Sequence, residues 1–157
     1  MSTLAVYDCM LFFRAAARPQ RTYTTFRIVE EGHVTLCMSP GVLAEIRDVL
    51  FRPEHQTKFP ALTPKAVDMF LARYLRAVNW FPNVPEVYTL KRDPKDSKYV
   101  NLALAAEAPY LVTTDDDLLD LMNPTTADGG DFTQRFPSLK ILEPVPFLNQ
   151  IPPPKAS

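Results

Sequence analysis

The feature that most restricts how this chain can fold is a repeated alternation of short apolar runs with amphipathic segments. Leu4-Ala5-Val6-Tyr7, Val34-Thr35-Leu36-Cys37-Met38, Leu111-Val112-Thr113 and Leu139 to Leu142 are brief runs of the kind that form buried strands. Between them, apolar residues recur at the helical period. Ser39-Pro40 and Thr63-Pro64 are helix starts, with a hydroxyl at the N-cap and proline where a missing N–H costs nothing. Strands alternating with helices predict an α/β fold with three layers, α/β/α, around a mainly parallel central sheet. A chain of 157 residues is long enough for one such domain, expected over residues 1–148, with 149–157 as a Pro-rich, frayed tail.

Helices are expected over Met10 to Ala17, Thr22 to Glu31 (closed by Gly32), Gly41 to Phe51, Thr63 to Trp80, Asp96 to Glu107 and Leu118 to Met122. Val87-Tyr88 reads as a short strand after a turn bracketed by Pro82 and Pro85. Asn123 to Pro137, with Gly129-Gly130 inside it, reads as a loop.

Several function classes are excluded early. The formal net charge is -1, so no global positive field draws the chain to nucleic acid or an anionic membrane, and any polyanion contact must be local. There is no apolar run of membrane-spanning length and no signal-peptide pattern, so the expected location is cytoplasmic, with no membrane partner. Cys9 and Cys37 lie in apolar stretches and read as buried thiols rather than a disulfide. With His33 and His55 they show none of the spacings of a structural zinc site. No Ser-His-Asp or Cys-His order is readable, so an attacking group would be water.

The acids carry the chemistry. Asp8 ends the first strand, Glu45 borders the apolar face of its helix, Asp96 opens another helix, and Asp115-Asp116-Asp117 follow a strand. In open α/β sheets ligands sit beyond the carboxyl ends of the strands, so Asp8, Glu45, Asp96 and Asp115 can share one crevice. Carboxylates that close raise one another's pKa unless a cation sits among them, and oxygen ligands suit Mg²⁺ or Mn²⁺. Such an ion supports phosphodiester hydrolysis. Simpler roles exist for each acid: Asp96 as a helix cap, Asp115 to Asp117 as a capped turn, Glu45 as a solvated flank. Asp8 is the hardest to dismiss, because a carboxylate straight after a buried strand needs a partner.

Lys91, Arg92, Lys95 and Lys98 crowd beside Asp96, and Arg14, Arg18 and Arg21 follow Asp8. Arg14 and Lys98 are the chosen candidates for phosphate contacts, to RNA if the resemblance described next holds, with ordinary surface charge as the alternative. Tyr7, Tyr23 and Tyr99 are candidates for base stacking or for the core.

The run Asp93-Pro94-Lys95-Asp96, through Ala103-Leu104-Ala105, to Leu111-Val112-Thr113-Thr114-Asp115-Asp116-Asp117-Leu118-Leu119 resembles the PIN-domain nucleases, in particular the larger members assigned as toxins of bacterial toxin–antitoxin pairs. Val6-Tyr7-Asp8, Ser39-Pro40 to Glu45, and the Leu139 to Leu148 segment match more weakly. The resemblance implies a PIN-like fold and metal-dependent RNA cleavage restrained by an antitoxin protein. It also implies Asp8, Glu45, Asp96 and Asp115 as catalytic metal-binding acids, Asp117 as a further metal ligand, and Thr113 as a supporting group. Two positions depart from the pattern: Met10 stands where the family usually has Asn, and Ser97, taken as a supporting residue, where many members have Asn or Asp. The alternative is a PIN-fold module that binds RNA or protein with weak or no catalysis. An apolar stripe on the Thr63 to Trp80 helix, or the segment after Thr22, would serve a homodimer or the antitoxin.

Overall fold

The computed structural model describes residues 2–151. Its centre is a five-stranded, all-parallel sheet of β1 (Thr3–Tyr7), β2 (Val34–Met38), β3 (Asn79–Trp80), β4 (Tyr110–Val112) and β5 (Lys140–Leu142), in the order β3-β2-β1-β4-β5. Ala5, Val6 and Tyr7 of β1, and Leu111 and Val112 of β4, are buried, as strands covered on both faces must be. The architecture is the expected three-layer α/β/α fold.

The helices follow the sequence signals where the cap chemistry is local. α1 (Cys9–Ala17) starts at Asp8, α2 (Thr24–Glu30) ends before Gly32, and α3 (Pro40–Leu50) and α5 (Pro64–Leu75) start from the Ser39 and Thr63 hydroxyls. Between the last two lies a short helix, α4 (Pro53–Lys58). α6 (Ser97–Ala106) buries Val100, Leu102 and Ala103 with small residues that let it lie close to the sheet, whereas Leu104 is only partly buried. α6 packs on β1, β2 and β4 and also touches α3.

Four sequence expectations need correction. The Thr63 helix stops at Leu75, and Asn79–Trp80 instead pairs with Cys37 and Met38 as the edge strand. Val87 and Tyr88 form no strand. Their backbone N–H groups bond to the Asn101 side chain at 3.0 and 2.8 Å, and the Asn101 amide donates to the Tyr88 carbonyl, so a buried asparagine replaces a sheet partner. The expected Asn123 to Pro137 loop contains α8 (Ala127–Arg135), preceded by α7 (Asp116–Leu119) and a 3-10 turn, Asp120–Met122. Its Gly129 is there for closeness rather than flexibility, since a Cβ would lie 1.9 Å from the Asn123 carbonyl oxygen. Finally, the proline-rich end begins as α9 (Pro144–Gln150), anchored by fully buried Phe147, whose burial contributes about 2–3 kcal/mol. Of the expected tail, Asn149 and Gln150 are helical, and residues 152–157 lie outside the described residues.

Candidate metal centre

The strand order reverses direction between β1 and β4, which pair in the register Tyr7 to Val112. Past those residues the two chains diverge, β1 into Asp8 and α1, β4 into Thr113, Asp115 and α7. A crevice at such a switch point is where open parallel sheets bind ligands.

Beside it, a 3-10 turn over Pro94–Asp96 leads into α6. Residues three apart on such a turn eclipse, so Asp93 and Asp96 project together toward Asp115. One carboxylate oxygen from each of Asp93, Asp96 and Asp115 lies within 4.8 Å of the others, and all three residues are half-buried. Asp96 occupies the N-cap position of α6 but makes no capping bond with its side chain. Burial, a hydrogen bond shared with Asp115, and the charges of Asp93, Asp115 and Glu45 push its carboxyl up to about 8. Without a cation it therefore favours the protonated form. Three converging hard oxygens, one of them on a carboxyl whose pKa is raised by burial and then by its acidic neighbours, fit a small divalent ion of the Mg²⁺ or Mn²⁺ kind.

Asp8 and Glu45 sit close by in different circumstances. Asp8 is 4% exposed and accepts hydrogen bonds from Met10 N (2.9 Å), Leu11 N (3.3 Å) and the Thr113 hydroxyl. Burial raises its pKa, and these donors oppose the rise. The backbone of Met10 thus supports Asp8 even though its exposed thioether has no amide to offer. Thr113 is fully buried. Its oxygen also accepts from Asp115 N at 3.0 Å, so one hydroxyl aligns Asp8 with the turn that carries Asp115. Glu45 reaches across from α3 to α6, where Lys98 Nζ lies 2.5 Å from one oxygen and the buried Tyr99 hydroxyl donates to the other. Burial disfavours its charge, but hydrogen bonds from Lys98, Tyr99 and Cys9 outweigh that and hold its pKa below the usual value.

The remaining candidates are dispersed. Asp117 stands beside the triad but is paired with Arg92 at 2.7 Å. Ser97 turns away from the acids, its hydroxyl accepting from Leu90 N at 2.8 Å. Arg14 lines a separate cavity of about 280 Å³ with Leu11, Tyr23, Pro144 and Leu148. Lys98 lines a cleft of about 500 Å³ with Lys95, Gly41, Pro82, Glu86 and Tyr88. Tyr7 and Tyr99 are buried and cannot stack on a base. The Cys9 thiol is pushed up to about 12, chiefly by burial, and both cysteines are free. Asp93 is the residue that sequence reasoning missed, and its signal was the Asp-Pro-Lys-Asp spacing read as a three-residue turn.

A parallel α/β sheet with converging carboxylates at its switch point defines the class: an α/β domain with an acidic cluster of a kind that can hold a divalent cation. The PIN domain family profile matches residues 4–117, and the chain belongs to that family. No curated protein and no solved structure matches the chain. PIN domains are generally metal-dependent nucleases that bind nucleic acid, and an acidic cluster compatible with that chemistry is present here. Among the described residues, no helix is long and apolar enough to cross a membrane.

Proposed function

We propose that the chain is a Mg²⁺- or Mn²⁺-dependent endoribonuclease that hydrolyses RNA phosphodiester bonds in the cytoplasm, as the toxin of a toxin–antitoxin pair. The observation that carries the enzymatic part is the Asp93, Asp96 and Asp115 triad at the switch point of a PIN domain. These three residues would hold the ion, with Asp8 and Glu45 completing the acidic rim. When bound, a divalent ion supplies a more acidic water and charge stabilisation at a phosphoryl oxygen. Asp96 would hold the ion as a carboxylate, without the proton that its surroundings favour when the ion is absent. Thr113 keeps Asp8 and the Asp115 turn in register, and Lys98, tied to Glu45, presents a cation to the cleft next to the triad.

RNA lying in that cleft would have its phosphates near Lys95 and Lys98, because Pro94 and Lys95, of the turn that ends in Asp96, line it. A side chain built at Gly41 meets nothing within 4 Å. Gly41→Phe is therefore expected to obstruct the cleft, weakening RNA binding while leaving divalent binding unchanged. Equal RNA affinity in mutant and wild type, measured by fluorescence anisotropy in Ca²⁺, would remove the cleft from the RNA path.

Residues 1–148 are read as one domain, because β5 pairs with β4 and so extends the same sheet. The toxin assignment rests on the motif order from Asp93 to Leu119. Its test is growth arrest on expression, relieved by the product of a neighbouring gene and absent in Asp96→Asn. A second reading, a PIN-fold module that binds RNA or a protein partner without cutting, is favoured by one observation: the oxygens of Asp8 and Glu45 are already engaged by protein donors. Mg²⁺ and Mn²⁺ calorimetry with a parallel RNA cleavage assay separates the two. Divalent binding with cleavage supports the enzyme; RNA binding with no cleavage under any divalent ion supports the module.

A further inference from the structure

The two segments that supply the triad are linked through a residue that is not itself a ligand. Arg92, immediately before Asp93, places one guanidinium nitrogen 2.7 Å from Asp117 Oδ1 and another 2.7 Å from Asp120 Oδ2. Asp117 in turn donates its backbone N–H to Asp115 Oδ1 at 2.9 Å. The connection therefore closes on the metal centre: Asp93 next to Arg92, Arg92 to Asp117, Asp117 to Asp115, and Asp115 facing Asp93 and Asp96. We propose that Arg92 is a positioning residue for the divalent ion, a brace that holds the Asp93–Asp96 turn against the Asp115 turn and keeps Asp117 out of the ligand set. This rests on the metal-centre reading above.

The physical argument concerns shape more than energy. Arg92 is half-exposed, and an exposed ion pair adds little to stability. Acidic groups gathered within 4.8 Å of one another are crowded before an ion arrives, and like charge among them works to part the two turns. A planar guanidinium engages two carboxylates at a fixed spacing, and a lysine ammonium, a single point on a flexible stem, does not. Charge and geometry also act in opposite directions at this position. The positive charge of Arg92 repels an incoming cation, whereas its bracing favours one, and Arg92→Lys keeps the charge while losing the fork.

The test is calorimetric titration of the metal-free wild type, Arg92→Lys and Arg92→Ala with Mn²⁺ and Mg²⁺, alongside their melting curves. Both variants are expected to bind the ion about tenfold more weakly, in the range seen when groups that orient metal ligands are removed. Their metal-free melting points should stay within about 3 °C of wild type, and cleavage lost at limiting metal should return at saturating metal. A merely structural pair would shift melting without a matching change in affinity. Arg92→Lys binding as tightly as wild type, or Arg92→Ala binding more tightly, would overturn the brace while leaving the metal centre intact. Failure of the wild type to bind either ion would overturn the metal centre and the brace with it.

Discussion

Two sets of acids share the rim of this sheet, and they differ in what satisfies them. Asp8 and Glu45 are met by protein donors: two backbone N–H groups and a threonine hydroxyl for the first, a lysine and a tyrosine for the second. Asp93, Asp96 and Asp115 converge on one another instead, and burial together with that crowding favours a proton on Asp96. The first set is complete as folded. The second is complete only with a proton or a cation, so proximity to the site and dependence on an ion are separate properties.

The largest expected effect tests that separation directly. Asp96→Asn should reduce divalent binding below calorimetric detection and abolish cleavage. Its metal-free melting temperature should hold or rise, because asparagine is neutral there without having to take up a proton. Asp8→Ala should behave in the opposite way, losing stability first. Removing a buried carboxylate that caps α1 and receives the Thr113 hydroxyl costs about 2–3 kcal/mol, measurable by urea unfolding. If Asp8→Ala unfolds like wild type while Asp96→Asn melts early, the two sets have been assigned the wrong way round.

How much of this was legible in sequence depends on how local the cause was. The strand positions, and the starts of α3 and α5, follow from apolar runs and from Ser39-Pro40 and Thr63-Pro64, whose cap hydroxyls bond to N–H groups three residues on. The two-residue strand Asn79–Trp80 was not legible, because only its register against Cys37 and Met38 makes it a strand. α8 was hidden by Gly129, a helix-breaking signal in sequence but a close-packing residue against Asn123 in space. That acids gather at one end of the sheet was legible, as was the place of Thr113 beside Asp8. The division of the acids was not, since it depends on Tyr99 and Lys98 reaching Glu45 from 54 and 53 residues away. Likewise, only the folded turn shows Asp93 beside Asp96, and only the folded chain shows Arg92 beside Asp117 and Asp120.

A pH series sharpens the comparison further. The Asp96 carboxyl ionises at its ordinary value of 3.8 when unfolded but only near 8 when folded without a cation. Between those values the folded state binds more protons than the unfolded state, so unfolding becomes easier as pH rises. The stability present below about pH 4 is lost progressively up to about pH 8, and further alkalinity changes this contribution little. Melting the metal-free protein from pH 4 to 9 should show that decline, with a flatter profile in Asp96→Asn. Saturating Mg²⁺ should flatten it as well, since the ion takes the place of the proton. An unchanged slope in Asp96→Asn would mean that the titration belongs elsewhere, with buried Asp8 the first group to examine.

The smallest expected effect comes from moving one acid between the sets. Lys98→Met removes the cation 2.5 Å from Glu45 and leaves that carboxylate with Tyr99 as its remaining strong donor. Glu45 already contributes to the charge felt by Asp96, so its release makes the rim more negative where the ion would sit. Lys98 is 31% exposed, and a pair this open to solvent is worth at most about 1 kcal/mol, so divalent affinity should rise by roughly two- to fivefold. RNA affinity should fall in the same variant, because the cleft loses one of its two lysines. Opposite shifts in the two affinities would show that Lys98 serves the substrate at some expense to the ion. If both fall together, Lys98 holds Glu45 in a geometry that the ion also needs, and Glu45 then belongs with the triad in spite of its hydrogen bonds.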